Sequence, residues 1–213
     1  MKEDVLEQIV DDYLMHKGYF TRHNIRFKPD SSHVDFEGRQ DSVSSDIDVI
    51  AVNPRRSDAE RVLVLSCKAW QAGFDPAGKI AEIEGNKIVS GRDAWRGFRE
   101  LHSPKWAEAF INEIERCTGQ RTFTYFTVVT ALRNEQTRAM WEDHPGFRDR
   151  LEGNAVRILT LGEMLNYLWV ELTKAPAASE IGRAIQLMKA AKWSPPPLVN
   201  EKTAGRRKVT LSQ

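Results

Sequence analysis

Two stretches decide how this chain is read: Asp46-Ile47-Asp48-Val49-Ile50-Ala51 and, after a short gap, Val62-Leu63-Val64-Leu65-Ser66-Cys67-Lys68. Each alternates as a half-buried strand does. That places Asp46 and Asp48 on one face and Ser66 and Lys68 on one face. The gap over residues 53–61 carries Pro54, Ser57 and Asp58, residue types that close hairpin loops. Two neighbouring antiparallel strands therefore bring a carboxylate beside a lysine. This is the minimum arrangement for holding a divalent metal and activating a water.

Working outward, residues 3–17 read as a helix, with Val5, Leu6, Ile9, Val10, Tyr13 and Leu14 on one stripe. Gly18 ends it, and residues 19–27 alternate as a first strand. Residues 29–45 form a polar, turn-rich loop long enough to be functional or mobile. Beyond Lys68, Gly73, Pro76 and Gly78 mark a loop and residues 79–87 a short helix. Residues 89–117 read as helical with a break at Ser103-Pro104, where a proline suits a new first turn. Residues 122–132 are a strand rich in Thr, Phe, Tyr and Val. Residues 134–141 and 146–151 read as helices, 156–159 as a strand, 161–174 as a helix after Thr160, and 178–193 as a last helix. The expected class is α/β, a mixed sheet flanked by helices with extra helices toward the C-terminus.

At 213 residues the chain suits one sizeable core. The expected organisation is a domain over residues 1–194, then a Pro-rich and basic tail over 195–213 ending near Arg206-Arg207-Lys208. The net charge of +1 gives no global field that would drive the protein onto nucleic acid, so binding must use local patches. No signal peptide is read at the N-terminus, and the longest apolar runs are too short to span a bilayer. Cys67 and Cys117 form no disulfide or metal spacing and suit a reducing cytoplasm. The five histidines show no ligand spacing, so none is assigned to a metal.

The element order, the Asp48 phrase, Lys68 and Glu7, eleven residues before Gly18-Tyr19, together resemble the PD-(D/E)xK nuclease superfamily. The likeness is greatest to the branch of Holliday-junction resolvases and Mrr-like restriction enzymes. It is close over roughly residues 3–70 and continues in element order through the later strands. The resemblance implies a restriction-endonuclease-like fold and a Mg²⁺-dependent endodeoxyribonuclease (Mn²⁺ as a substitute) acting on duplex or branched DNA, with a possible homodimer. It implies that Asp48 holds the metal and Lys68 positions the attacking water, with Asp46 as an auxiliary ligand. One position departs from the pattern: Ser66 stands where Glu, Asp or Gln is usual, and a hydroxyl is a weak ligand for a hard cation.

Some restriction enzymes with Ser-x-Lys on the strand place the missing carboxylate in the following helix, with thirteen residues between it and the lysine. In this chain that count leads to Glu82, with Glu84 beside it and Glu7 as the other candidate. Arg92, Arg96, Arg99 and Lys105 interleave with Trp95, Phe98 and Trp106. On one helix Arg92, Arg96 and Arg99 would share a face suited to phosphate contacts. Three alternatives stay open: a catalytically inactive nuclease-fold module binding nucleic acid or a partner protein, an enzyme of the same fold acting on RNA or branched structures, and an interaction protein with no nucleic-acid role.

Overall fold

The computed structural model describes residues 5–172, 177 and 179–193. The expected tail over 195–213 lies outside them, as do the last residues expected for the 161–174 helix and the first of the 178–193 helix. The chain runs α1 (Val5–His16), β1 (Phe20–Phe27), α2 (Gly38–Asp41), β2 (Ser45–Val52), β3 (Val62–Lys68) and α3 (Pro76–Glu84). A two-stranded hairpin follows, β4 (Ile88–Val89) and β5 (Arg92–Asp93), then a 3-10 turn (Ala94–Phe98), α4 (Arg99–His102) and α5 (Pro104–Thr118). The second half contains β6 (Thr124–Val129), a 3-10 turn (Glu135–Thr137), α6 (Arg138–Glu142), α7 (Pro145–Arg150), β7 (Ala155–Thr160), α8 (Leu161–Glu171) and α9 (Glu180–Ala190).

The main sheet has the order β1-β2-β3-β6-β7. Its first three strands pair antiparallel, and β3, β6 and β7 pair parallel. The protein is therefore α/β with a mixed five-stranded sheet flanked by helices. Each face of the sheet is closed by its own core. On one side Val10, Leu14, Leu63, Leu65, Val128, Met164 and Leu168 pack together under α1 and α8. On the other, Val62, Val64, Tyr125 and Val129 pack against Phe98, Leu101, Phe110 and Ile114. Parallel strands covered on both faces read as near-continuous apolar runs, as β3 and β6 do.

Three local departures from the expected elements have identifiable causes. Pro76 and Gly78 belong to the first turn of α3, because Asp75 caps it and accepts the Gly78 N–H at 3.1 Å. A Cβ at position 78 would lie 2.5 Å from the Asp75 carboxylate, so a larger residue there would make the capping side chain shift. The expected helix over 89–117 begins only at Ala94, as a 3-10 turn leading into α4, and breaks at Ser103 before α5 as expected. Before it, Ser90 and Gly91 both adopt positive φ, 51° and 76°, and Val89 pairs with Arg92. Two successive left-handed residues form the tight turn of a hairpin, which takes residues 88–93 out of any helix. Finally, the strand expected over 122–132 narrows to Thr124–Val129.

The long loop over 28–44 is pinned by Asp41, which is fully buried. Its carboxylate takes Lys105 Nζ at 2.7 Å, the Trp106 indole N–H at 2.9 Å and the Glu37 N–H at 2.8 Å. Burial alone would raise the Asp41 pKa. The bonds from Lys105, Glu37 and Trp106 outweigh burial and hold it below the usual carboxylate range. Asp41→Ala leaves Lys105 with Glu37 and the Asp35 carbonyl but without its close counter-charge. The expected loss is about 3 kcal/mol of unfolding free energy, measured by urea titration. Because the folded pKa is depressed, the wild-type advantage is present above the ordinary aspartate pKa. It fades as pH falls through the lowered value.

Candidate active site

The site begins where the strand ladder stops. The β2–β3 pairing ends at Val49 opposite Leu65, while β3 stays paired with β6 as far as Lys68 opposite Val129. Past Val49 the two strands part, and Asp48 fills the fork: the Cys67 backbone N–H donates to its Oδ2 at 2.5 Å. A buried N–H deprived of its ladder partner needs another acceptor, and a carboxylate is a strong one.

The same rung is where the first strands change face. In β1, Thr21 and His23 turn to Asp11 of α1, whereas Ile25 and Phe27 join the core on the opposite side. Between them Asn24 adopts φ 53°. In β2, Val49 and Ala51 lie in the core under α1, and Ile47 lies in the other. The expected sharing of one face by Asp46 and Asp48 is therefore corrected. Strict alternation fails at this rung, Asp48 turns into the fork, and Asp46 stays 52% exposed beside Arg26 at 4.0 Å.

Around Asp48 stand four other polar groups. Ser66 lies near both the Asp48 carboxylate and the Tyr125 phenol and opposes the pKa rise of each. The Lys68 ammonium lies 5.7 Å from the centre of the Phe98 ring. Two residues beyond Phe98, Glu100 is buried at 6% exposure, and its Oε1 accepts the Tyr125 hydroxyl at 2.5 Å. Burial raises the Asp48 pKa; Lys68, the Cys67 N–H and Ser66 oppose the rise, and the nearby charge of Asp46 adds to it. Burial likewise pushes Glu100 up, opposed by Tyr125 and Lys68 and reinforced by the charge of Asp48. Asp48, Ser66, Lys68, Glu100 and Tyr125 thus share one electrostatic environment. Glu100 and Tyr125 were not among the residues expected from sequence. The available signal was Tyr125 itself, whose hydroxyl needs a partner when placed in an apolar strand.

The remaining candidates lie elsewhere. Glu82 pairs with Lys79 and lines a hollow of about 480 Å³ with Trp70, Phe74 and Arg133, a lining that includes neither Asp48 nor Lys68. Glu84 meets His144 at 3.2 Å. Glu7 stands half-buried in the first turn of α1, on the opposite face of the sheet from Glu100. The shared helical face expected for Arg92, Arg96 and Arg99 is absent. Arg92 lies in β5, Arg96 pairs with Asp93 at 2.8 Å, and Arg99 stacks its guanidinium 4.4 Å from the Trp106 ring centre. Lys105 is taken up by Asp41, its side chain 11% exposed. Among the described residues, no group of three or more His, Cys, Asp or Glu is gathered as metal ligands, and no helix is long and apolar enough to cross a membrane. No protein-family model, curated protein or solved structure matches the chain.

A buried carboxylate with a raised pKa binds more protons folded than unfolded. Stability therefore falls as pH rises from the ordinary glutamate value through the raised one. Glu100→Gln removes this slope while keeping an acceptor for Tyr125. The variant is expected to melt about 2–4 °C above wild type at neutral pH, the shift that ~1 kcal/mol produces at this chain length. Thermal melts in mild acid should show the difference vanish.

Proposed function

We propose that this protein is a metal-dependent deoxyribonuclease of restriction-endonuclease-like fold that hydrolyses DNA phosphodiester bonds. One observation carries the reading: the parting of β2 from β3, which fixes the Asp48 carboxylate on the Cys67 N–H at the strand end bearing Lys68. The mixed sheet flanked by helices supports it as well.

The residues present fit a divalent cation. Asp48 offers a hard, charged oxygen donor that is desolvated and repelled by the charge of Asp46, so positive charge at this point is favourable. When bound, the cation polarises the scissile phosphate and lowers the pKa of the attacking water. Asp48 would hold it, with one carboxylate oxygen already fixed by the Cys67 N–H. The Lys68 ammonium orients the water and stabilises charge building on the phosphate. Its place beside Phe98 reduces its contact with solvent, which strengthens its field. Ser66 favours the charged form of Asp48. Substrate contacts draw on local cations, of which Arg92 on the hairpin and Lys87 just before it are exposed. Two copies of the chain would serve to cut both strands of a duplex.

The experiment is cleavage of supercoiled plasmid and four-way-junction DNA with Mg²⁺ or Mn²⁺. Asp48→Ala and Lys68→Ala are each expected to lower the rate about a hundredfold or more. Full metal-dependent cleavage by Asp48→Ala would overturn the assignment. Salt-sensitive DNA binding without cleavage by the wild type would favour the inactive nucleic-acid-binding module instead.

A further inference from the structure

We infer that the hairpin of β4 and β5 is an arm that enters the major groove of duplex DNA, with Lys87 and Arg92 on phosphates and Ile88 and Val89 against base edges. The inference rests on the nuclease reading and deepens it, because it names the form of the nucleic acid and the element that engages it.

Residues 84–92 are exposed without interruption, and among them Ile88 is 73% and Val89 40% exposed. Within the hairpin Val89 pairs with Arg92 and Ile88 with Asp93. Cross-strand partners project to one side of a ribbon, while neighbours along an arm project to opposite sides. Lys87 lies across from Ala94, whose N–H donates to the Lys87 carbonyl at 2.9 Å. One side of the ribbon therefore presents Lys87, Val89 and Arg92, and the other presents Ile88. Among the described residues neither Lys87 nor Arg92 forms an ion pair, whereas Arg96 is held by Asp93 at 2.8 Å. Two cations that are diagonal neighbours on one face, with no counter-charge, favour an anionic partner.

The arm is anchored at its base. The Lys87 N–H donates to the Glu82 carbonyl at 3.0 Å and the Asn86 N–H to the Ile83 carbonyl at 3.2 Å, and Ile83 is buried. On the other side Trp95 stacks on His102 at 5.3 Å, and the 3-10 turn ends at Phe98, the ring beside Lys68. Such a turn rises about 2 Å per residue, so the base of the arm stands about 10 Å from Phe98. From Lys87 to the Ser90-Gly91 tip the strand reaches about 10 Å as well. The major groove is about 8.5 Å deep and about 12 Å wide, and it admits a two-stranded ribbon; the minor groove is about half that width. The turn itself is narrow, with only a hydroxymethyl group and a glycine at its apex. An isolated hairpin of this length gains little stability of its own. Its apolar side chains find contacts on thymine methyl groups in the major groove. The flanking cations select a polyanion over an apolar protein surface.

The test measures binding of the whole chain to a fluorescent DNA duplex and to its single strand by anisotropy, over a salt series without divalent metal. The variants are Lys87→Ala, Arg92→Ala and the double change Ile88→Ser with Val89→Ser, and thermal melts establish that each is folded. Lys87→Ala and Arg92→Ala are each expected to weaken duplex binding and to reduce the slope of log Kd against log salt by about 1. The double serine variant should bind about tenfold more weakly with the slope unchanged, as loss of apolar contact predicts. Methyl green, which occupies the major groove, should compete, and netropsin, which occupies the minor groove, should not. If all variants bind as wild type does while wild type cuts plasmid in Mg²⁺, the arm is overturned and the nuclease reading stands. If the variants behave as expected but wild type cuts no DNA, the arm stands and the nuclease reading falls. Competition by netropsin alone, or tighter binding to the single strand than to the duplex, overturns the groove assignment. Loss of self-association in the double serine variant with DNA binding intact overturns it in favour of a second copy of the chain. Absence of DNA binding by wild type overturns both readings.

Discussion

The hydrogen bond from the Cys67 N–H to Asp48 ties the sheet to its polar end. Once β2 leaves β3 beyond Val49, the backbone of β3 has an unpaired donor on one side, while β6 continues to pair on the other. Water cannot serve that donor freely in a half-buried fork, so a side chain of the departing strand must. Asp48 does so, and its orientation is then set by the backbone rather than by a flexible rotamer. The face change at Asn24 and Asp48 belongs to the same event. The strands give up strict alternation at the rung where one of them turns away.

Two buried carboxylates in this chain show how similar groups acquire opposite characters. Asp41 is surrounded by donors, two of them side-chain N–H groups and one a backbone amide, and its negative charge is fully compensated. It joins a loop to α5. Glu100 has a phenol on one oxygen, the influence of Lys68, and the opposing charge of Asp48. Its surroundings favour the proton. A carboxylate kept in such a place is the pattern expected of a group retained for something other than stability.

Much of the fold could be read from the chain because the signals are local. Alternation in β2 and β3, the apolar stripe of α1, the proline that opens α5 and the threonine before α8 each act within a few residues. Thr160 and Glu163 form a reciprocal cap, as that threonine suggested. The hairpin at residues 88–93 was hidden because each arm is only two residues long and its signal is the Ser90-Gly91 turn alone. The separation of Asp46 from Asp48 was hidden because a single left-handed Asn24 lies in the neighbouring strand. Glu100 was hidden for a different reason. Nothing near it in sequence marks it, and its partner Tyr125 is reached only when the fourth strand of the sheet is in place.

The parallel pairing of β3 with β6 also orders events during synthesis. Asp48 and Lys68 come from a meander of neighbouring strands that can close soon after it is made, whereas Tyr125 and the seat for Glu100 require a long-range crossover. Until β6 docks, β3 presents an open, strongly apolar edge on the side away from β2, the kind of surface that recruits other chains. A nascent chain thus carries its lysine and first carboxylate well before it can assemble the complete cluster. The pairing of β3 with β6 both shields that edge and completes the polar centre.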